Sequence, residues 1–97
     1  MSSSVVINPT AEDAYWRHAF RQEPYYQAQL GYDDYSPAYR VGYTGPLRRV
    51  GSFASLEADL RRDWECVKGR SRLDWPQARQ AAQAAWERAI EHSEATV

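Results

Sequence analysis

One cysteine, one lysine, one methionine and two histidines stand in a chain of 97 residues, and each scarcity closes a class of function. Cys66 alone cannot close an intramolecular disulfide, which removes the oxidised, disulfide-stapled mini-protein class. His18 and His92 lie 74 residues apart, and the positions three before them hold Tyr15 and Ala89, not carboxylates. The Glu-x-x-His signature of di-iron helical bundles is therefore absent. A zinc centre would need at least three suitable ligands gathered from distant places, so neither a metal nor a cofactor is expected. Lys68 precedes Gly69 instead of following a glycine-rich loop, which leaves no P-loop and no dinucleotide fingerprint. Gly51-Ser52-Phe53 lacks the flanks of a nucleophile elbow.

Long apolar runs are missing too. The stretch from Val5 stops at Ile7, no positive region precedes it, and nothing reaches the eighteen or so apolar residues that span a bilayer. The expectation is a cytoplasmic protein with no membrane contact. Residues 1–8 and 93–97 are expected to be flexible tails around one helical domain over 9–92, since a chain this short has volume for a single core. Leu, Ile, Val and Phe total only 15 residues, a share that points to disorder when net charge is high. Here the net charge is −1, and 14 Ala, 7 Tyr and 4 Trp supply the missing apolar surface.

Periodicity assigns that surface to helices. Thr10 reads as an N-cap with Glu12 and Asp13 in the first turn, and the i,i+4 pairs Tyr15/Ala19 and Trp16/Phe20 follow. Pro24 places the end of this helix near Gln22, giving Ala11 to Gln22. Glu23 to Tyr35 reads as a tyrosine-rich loop with a turn at Asp33-Asp34. Ser36-Pro37 opens a short helix that Gly45-Pro46 closes. Phe53, Leu56, Leu60, Trp64 and Val67 make an amphipathic stripe, stopped by Gly69. Asp74 and Gln77 form a capping box for a last helix running to about Glu91, with Trp75, Ala78, Ala82, Ala85, Trp86, Ala89 and Ile90 buried. The short connection 68–73 predicts an antiparallel hairpin of the last two helices, with the alanines facing the preceding helix. The fold class is all-α, a small bundle of three to four helices with a tyrosine-rich loop and short helix.

Two groups of residues are candidates for binding. Residues 48–72 carry a net charge of +3 between flanks of −2 each, through Arg48, Arg49, Arg61, Arg62, Lys68, Arg70 and Arg72. Arginine suits bidentate contact with phosphate or carboxylate, so the six arginines are the candidate nucleic-acid or anion surface. Glu57, Asp59, Asp63 and Glu65 are interleaved with them and can neutralise them instead. The tyrosines between Tyr25 and Tyr43 are either core or an exposed aromatic surface. As a surface, they nominate Tyr25, Tyr26, Tyr32, Tyr35 and Arg40 for contact with a protein partner, a second copy included. The acidic pairs Glu12-Asp13 and Asp33-Asp34 fit a helix start and a turn better than acid–base catalysis, and Cys66 reads as a buried structural residue. No enzyme is expected.

The stretches Asp13-Ala14-Tyr15-Trp16-Arg17, Tyr32-Asp33-Asp34-Tyr35-Ser36-Pro37-Ala38-Tyr39-Arg40-Val41-Gly42-Tyr43, Asp63-Trp64-Glu65 and Ala85-Trp86-Glu87-Arg88 resemble a family of small bacterial proteins without an assigned activity. That resemblance spans about residues 12 to 89 and implies a bacterial cytoplasmic protein, with no catalytic residues to carry over. Trp64-x-x-Val67-Lys68-Gly69 is similar to small general-stress proteins of the CsbD-like kind, which implies a role in stress physiology. The combined expectation is a non-catalytic helical protein that acts by protein–protein interaction. Nucleic-acid or anion binding through the arginines of 48–72 is the alternative.

Overall fold

The computed structural model describes residues 7–95, with side chains through His92. The described residues form four α-helices: α1 (Pro9–Ala19), α2 (Tyr32–Arg48), α3 (Phe53–Val67) and α4 (Trp75–Ala95). No strand occurs among the described residues, and the fold is an all-α bundle. The tail expectation for residues 1–6 and 96–97 lies outside the described residues, whereas residues 93–95, expected to be a tail beyond a helix ending near Glu91, continue α4. Ile7 and Asn8 belong to the domain, for Ile7 packs against the core and Asn8 caps α1.

Helix ends follow the local chemistry, with one substitution of partner. Asn8, not Thr10, is the N-cap of α1, its side-chain oxygen accepting from the Thr10 and Ala11 amides at 3.0 and 3.2 Å. The α1 geometry ends at Ala19 and tightens into a 3-10 turn over Phe20–Gln22 ahead of Pro24. Ser52 and Ser55 cap α3 reciprocally, each accepting from the other's amide at 3.1 Å. Gly69 follows the end of α3 at φ +54°, the left-handed conformation that glycine adopts without penalty. Asp74 and Gln77 exchange 3.1 Å bonds at the start of α4 as the capping box requires.

The largest departure from expectation is α2. It starts five residues before Pro37 and continues through Gly45-Pro46 to Arg48, so Asp33-Asp34 is its first turn and Tyr32 and Tyr35 are helical. Asp34 starts it, with Oδ2 accepting from the Gly31 amide at 3.1 Å. Two prolines and two glycines weigh against helix here, at about 3 and about 1 kcal/mol each relative to alanine in a helix interior. Tertiary packing overrides them. Tyr32, Tyr35, Tyr39 and Tyr43 recur at three- and four-residue spacing, and the last three are buried.

Alanines of α4 make that packing possible, and they face α2 instead of α3. A Cβ built on Gly42 would overlap the Ala82 carbonyl oxygen and sit 2.8 Å from the Ala85 Cβ. One on Gly45 would fall 2.5 Å from Cζ3 of Trp86. The backbones of α2 and α4 therefore touch at Gly42, opposite Ala82 and Ala85, and the bare backbone of Gly45 makes room for the Trp86 ring. Matching Gly42 with Ala82 and Gly45 with Trp86 makes the two helices run in the same direction.

The others run against them. Phe53 meets Trp86 edge-on at 5.8 Å and Trp64 meets Trp75 at 5.6 Å, so α3 and α4 form the antiparallel hairpin. Trp16 of α1 stacks on Tyr39 at 4.4 Å and 12°. In the α3 stripe Phe53, Leu60 and Trp64 are buried, whereas Val67 is half exposed beyond the end of the core, and Cys66, expected to be buried, is exposed.

Gly42→Ala tests the α2–α4 contact. Alanine improves helix propensity by about 1 kcal/mol, yet its methyl has no room against the Ala82 carbonyl. A net destabilisation of about 2 kcal/mol is expected in urea unfolding. A variant as stable as the parent would contradict the close approach.

Candidate functional site

The tyrosine-rich segment is mostly interior. Tyr35 is 1 % exposed and no partner can reach it, which corrects its nomination as a contact residue. Tyr25, Tyr26 and Tyr32 are half-buried and packed against the core. Phe20 is their hub, with ring centroids of Tyr26, Tyr32 and Tyr35 at 5.4, 5.2 and 5.6 Å. Such pairs contribute about 0.5–1.5 kcal/mol each beyond burial.

The hydroxyls are spent internally as well. Those of Tyr25 and Tyr39 bond each other at 2.8 Å, Tyr35 accepts from the Gln27 amide at 2.9 Å, and Tyr32 donates to Asp13 Oδ1 at 2.7 Å. These bonds fasten the 23–31 connection to α2, and α2 to α1. Of the five nominated residues, only Arg40 is fully on the surface.

The arginine-rich segment is largely neutralised. Arg49 reaches both carboxylate oxygens of Asp63 at 3.0 Å, Arg61 pairs with Glu65 at 3.2 Å, and Arg62 with Asp59 at 3.3 Å. Arg72 is occupied by Asp34. Its backbone amide and Nε donate to Oδ1 at 2.9 and 3.2 Å, and Nη2 donates to Oδ2 at 2.8 Å. The Ser71 hydroxyl adds a bond to the Asp34 carbonyl at 2.6 Å. This clamp fixes the α3–α4 connection to the first turn of α2. The Arg72 side chain, opposed by burial, holds the Asp34 carboxyl down to about 2. Among the described residues, Arg48 and Arg70 alone of the six nominated arginines lack a carboxylate partner.

Two further carboxylates find their partners on α4 and serve the fold. Glu12, read from sequence as a first-turn acid, is buried on α1 with Oε1 3.3 Å from Nε of Arg88 on α4. The Arg88 guanidinium lies 3.5 Å from the Tyr15 ring centroid, and Nη1 is 2.8 Å from Nε2 of His92. Glu57 accepts from Trp75 Nε1 and Arg79 Nε at 3.1 and 2.7 Å, and these donors, Arg79 first, lower its pKa.

Four surface features remain. A cleft of about 470 Å³ between α1 and α2 is lined by Pro9, Thr10, Asp13, Arg17, Ser36, Arg40, Tyr43 and Thr44. A groove of about 460 Å³ runs between Pro24-Tyr25 and Gln80, Gln83, Ala84 and Glu87 of α4. A shallow depression of about 320 Å³ on α3 is lined by Ala58, Arg61, Arg62 and Glu65. A smaller cleft of about 200 Å³ at the α2–α3 corner is lined by Pro46, Arg49, Val50, Gly51, Trp86 and Ile90.

That corner is where the sequence reading missed a candidate. Val50 is 99 % exposed and Leu47, three residues earlier, is 44 % exposed. The signal was Leu47 and Val50 on either side of Arg48-Arg49, a pattern that periodicity cannot place. Among the described residues no helix is long and apolar enough to cross a membrane, and no three metal-ligating side chains converge.

Comparison with protein-family models, curated proteins and solved structures finds no significant match. The functional reading accordingly rests on the surface itself.

Burial raises the pKa of Tyr25, Tyr32, Tyr39 and Tyr43 above the ordinary phenol value, and neighbours such as Asp13 raise Tyr32 and Tyr43 further. In an ultraviolet titration at pH 11, about one unit above the free phenol, Tyr25, Tyr32 and Tyr39 should stay protonated while the fold persists. Urea should release all seven tyrosines to ionise. Full ionisation with an unchanged helical spectrum would show the cluster to be open to solvent.

Proposed function

We propose that this chain is a non-catalytic helical protein that acts through protein–protein contact, with the α2–α3 corner as the contact surface and a second copy of the chain as its occupant. The observation that carries the reading is Val50, an aliphatic side chain left wholly in water beside a cleft floored by Trp86 and Ile90. Apolar surface gathered at one place on a small domain marks an interaction site more often than scattered residues do. Leu47 extends it.

Charge supports the choice of occupant. Arg48 adjoins Leu47 and Glu91 adjoins Ile90, and both are exposed with no ion-pair partner among the described residues. A surface bearing one unpaired charge of each sign can meet its own copy about a two-fold axis, arginine to glutamate, around an apolar centre. Catalysis has less support. The clefts described above carry at most one carboxylate each and neither histidine nor cysteine.

Nucleic-acid binding through the 48–72 arginines is supported less, because Arg49, Arg61, Arg62 and Arg72 are already held by carboxylates.

Sedimentation velocity across a micromolar-to-millimolar series tests the reading. The parent should gain mass toward a dimer as concentration rises, and Val50→Asp should remain monomeric at every concentration. Because Val50 is 99 % exposed, the variant should keep the parent's unfolding free energy to within about 0.5 kcal/mol when both are monomeric. A parent that stays monomeric throughout, or a Val50→Asp protein that dimerises equally well, would overturn it.

A further inference from the structure

We propose that the cleft between α1 and α2 is a binding site for a small molecule bearing an oxyanion, a phosphoryl group before a carboxylate. It lies apart from the α2–α3 corner and does not depend on what that corner contacts. Its two walls are helical stripes that face each other. Asp13 and Arg17 are one turn apart on α1, and Ser36, Arg40, Tyr43 and Thr44 share a face of α2.

What the groups already do decides what is left for a ligand. Asp13 is engaged at both oxygens, Oδ1 accepting from Tyr32 and Oδ2 from Arg17 at 3.1 Å, and Arg17 offsets its charge toward the cleft. The Thr44 hydroxyl donates to the Arg40 carbonyl at 2.5 Å. Arg40 has no carboxylate partner among the described residues, and its guanidinium can present five N–H donors in a planar fork. The Ser36 hydroxyl is likewise uncommitted among the described residues. The lining therefore holds two cations and one engaged anion, a net charge of +1.

Tyr43 is the second, independent pointer to a ligand. The residue is 5 % exposed, it lines the cleft, and its hydroxyl has no hydrogen-bond partner among the described residues. The hydroxyls of Tyr25, Tyr32, Tyr35 and Tyr39 are bonded to protein. The ring is enclosed while the hydroxyl reaches the cleft, where it is free to donate to a bound acceptor. Burial, and after it the Asp13 charge, keeps it protonated and able to donate. The positive end of the α1 dipole, at Pro9 and Thr10, opens on the same cleft and favours negative charge there.

A guanidinium fork, a phenol and a serine hydroxyl converging on one volume suit an anion with three or more acceptor oxygens better than one with two. That is the basis for placing phosphoryl ahead of carboxylate. A volume of about 470 Å³ admits the rest of a small organic molecule as well as the anion.

The test is an amide-resolved NMR titration of the full chain with inorganic phosphate, and separately with acetate, at constant ionic strength set by chloride. Saturable shifts confined to the amides around Arg17, Ser36, Arg40 and Tyr43 are expected with phosphate. Arg40→Gln should weaken binding about tenfold or more, by removing a charged donor. Tyr43→Phe should weaken it severalfold, while Arg48→Gln, outside the cleft, should leave it unchanged. Saturation by phosphate alone assigns a phosphoryl ligand, and equal saturation by acetate assigns a carboxylate. Non-saturating shifts shared by all surface arginines, or binding undiminished in Arg40→Gln, would overturn the site. Arg40 is exposed and outside the core, so its variant folds and the result can be read.

Discussion

Gly42 and Gly45 lie against Ala82, Ala85 and Trp86, and the absence of side chains at the two glycines is what lets α2 and α4 meet backbone to backbone. The rest of the bundle depends on this. With α2 seated on the alanine face of α4, its tyrosine stripe is turned toward α1, and Trp16 can stack on Tyr39. The start of α2 then comes beside the α3–α4 connection, where Asp34 can take Arg72. Leu60 of α3 comes within 3.4 Å of the space a Gly45 side chain would fill, so α3 closes the same core from another side.

This arrangement explains how a chain poor in aliphatics folds. Close helix approach replaces bulk with alanine–glycine contact in one layer, and aromatic rings fill the layers where the helices splay. The tryptophans Trp64, Trp75 and Trp86 serve the α3–α4 side, and Trp16 with the tyrosines serves the α1–α2 side. Tyrosine brings a cost that phenylalanine would not, since each buried hydroxyl needs a partner. Pairing Tyr25 with Tyr39, Tyr32 with Asp13 and Tyr35 with the Gln27 amide meets that need and ties down the irregular 23–31 segment. Tyr43 has no such partner among the described residues, and its hydroxyl reaches the α1–α2 cleft instead.

Features encoded by neighbours in sequence were legible. The α3 stripe from Phe53 to Trp64, the Asp74–Gln77 box and the stop at Gly69 all depend on residues within a turn of one another, and each is where periodicity and capping rules place it. Features decided by distant partners were not. Pro37, Gly42, Gly45 and Pro46 argue locally against a helix, and only contact with α4 outweighs them, so α2 reads as short and Tyr35 as loop. The spacing of Tyr32, Tyr35, Tyr39 and Tyr43 was the available sign that the helix was longer. Glu12 finds Arg88 across 76 residues of chain, which no local rule reports. Arg40 was visible as a candidate from its neighbours, but the cleft it faces exists only once α1 packs on α2. Val50 gained its interest only from its exposure.

The account places the most stable part of the molecule at the α2–α4 contact, and not in the sequence-adjacent α3–α4 hairpin. Native-state hydrogen exchange measures this directly, because the last amides to exchange report the unit that opens only on global unfolding. The slowest amides should fall in the middle of α2, around Tyr39 to Tyr43, together with Ala82 to Ala89 of α4. Slow exchange confined to α3 and α4, with α2 exchanging early, would contradict the account.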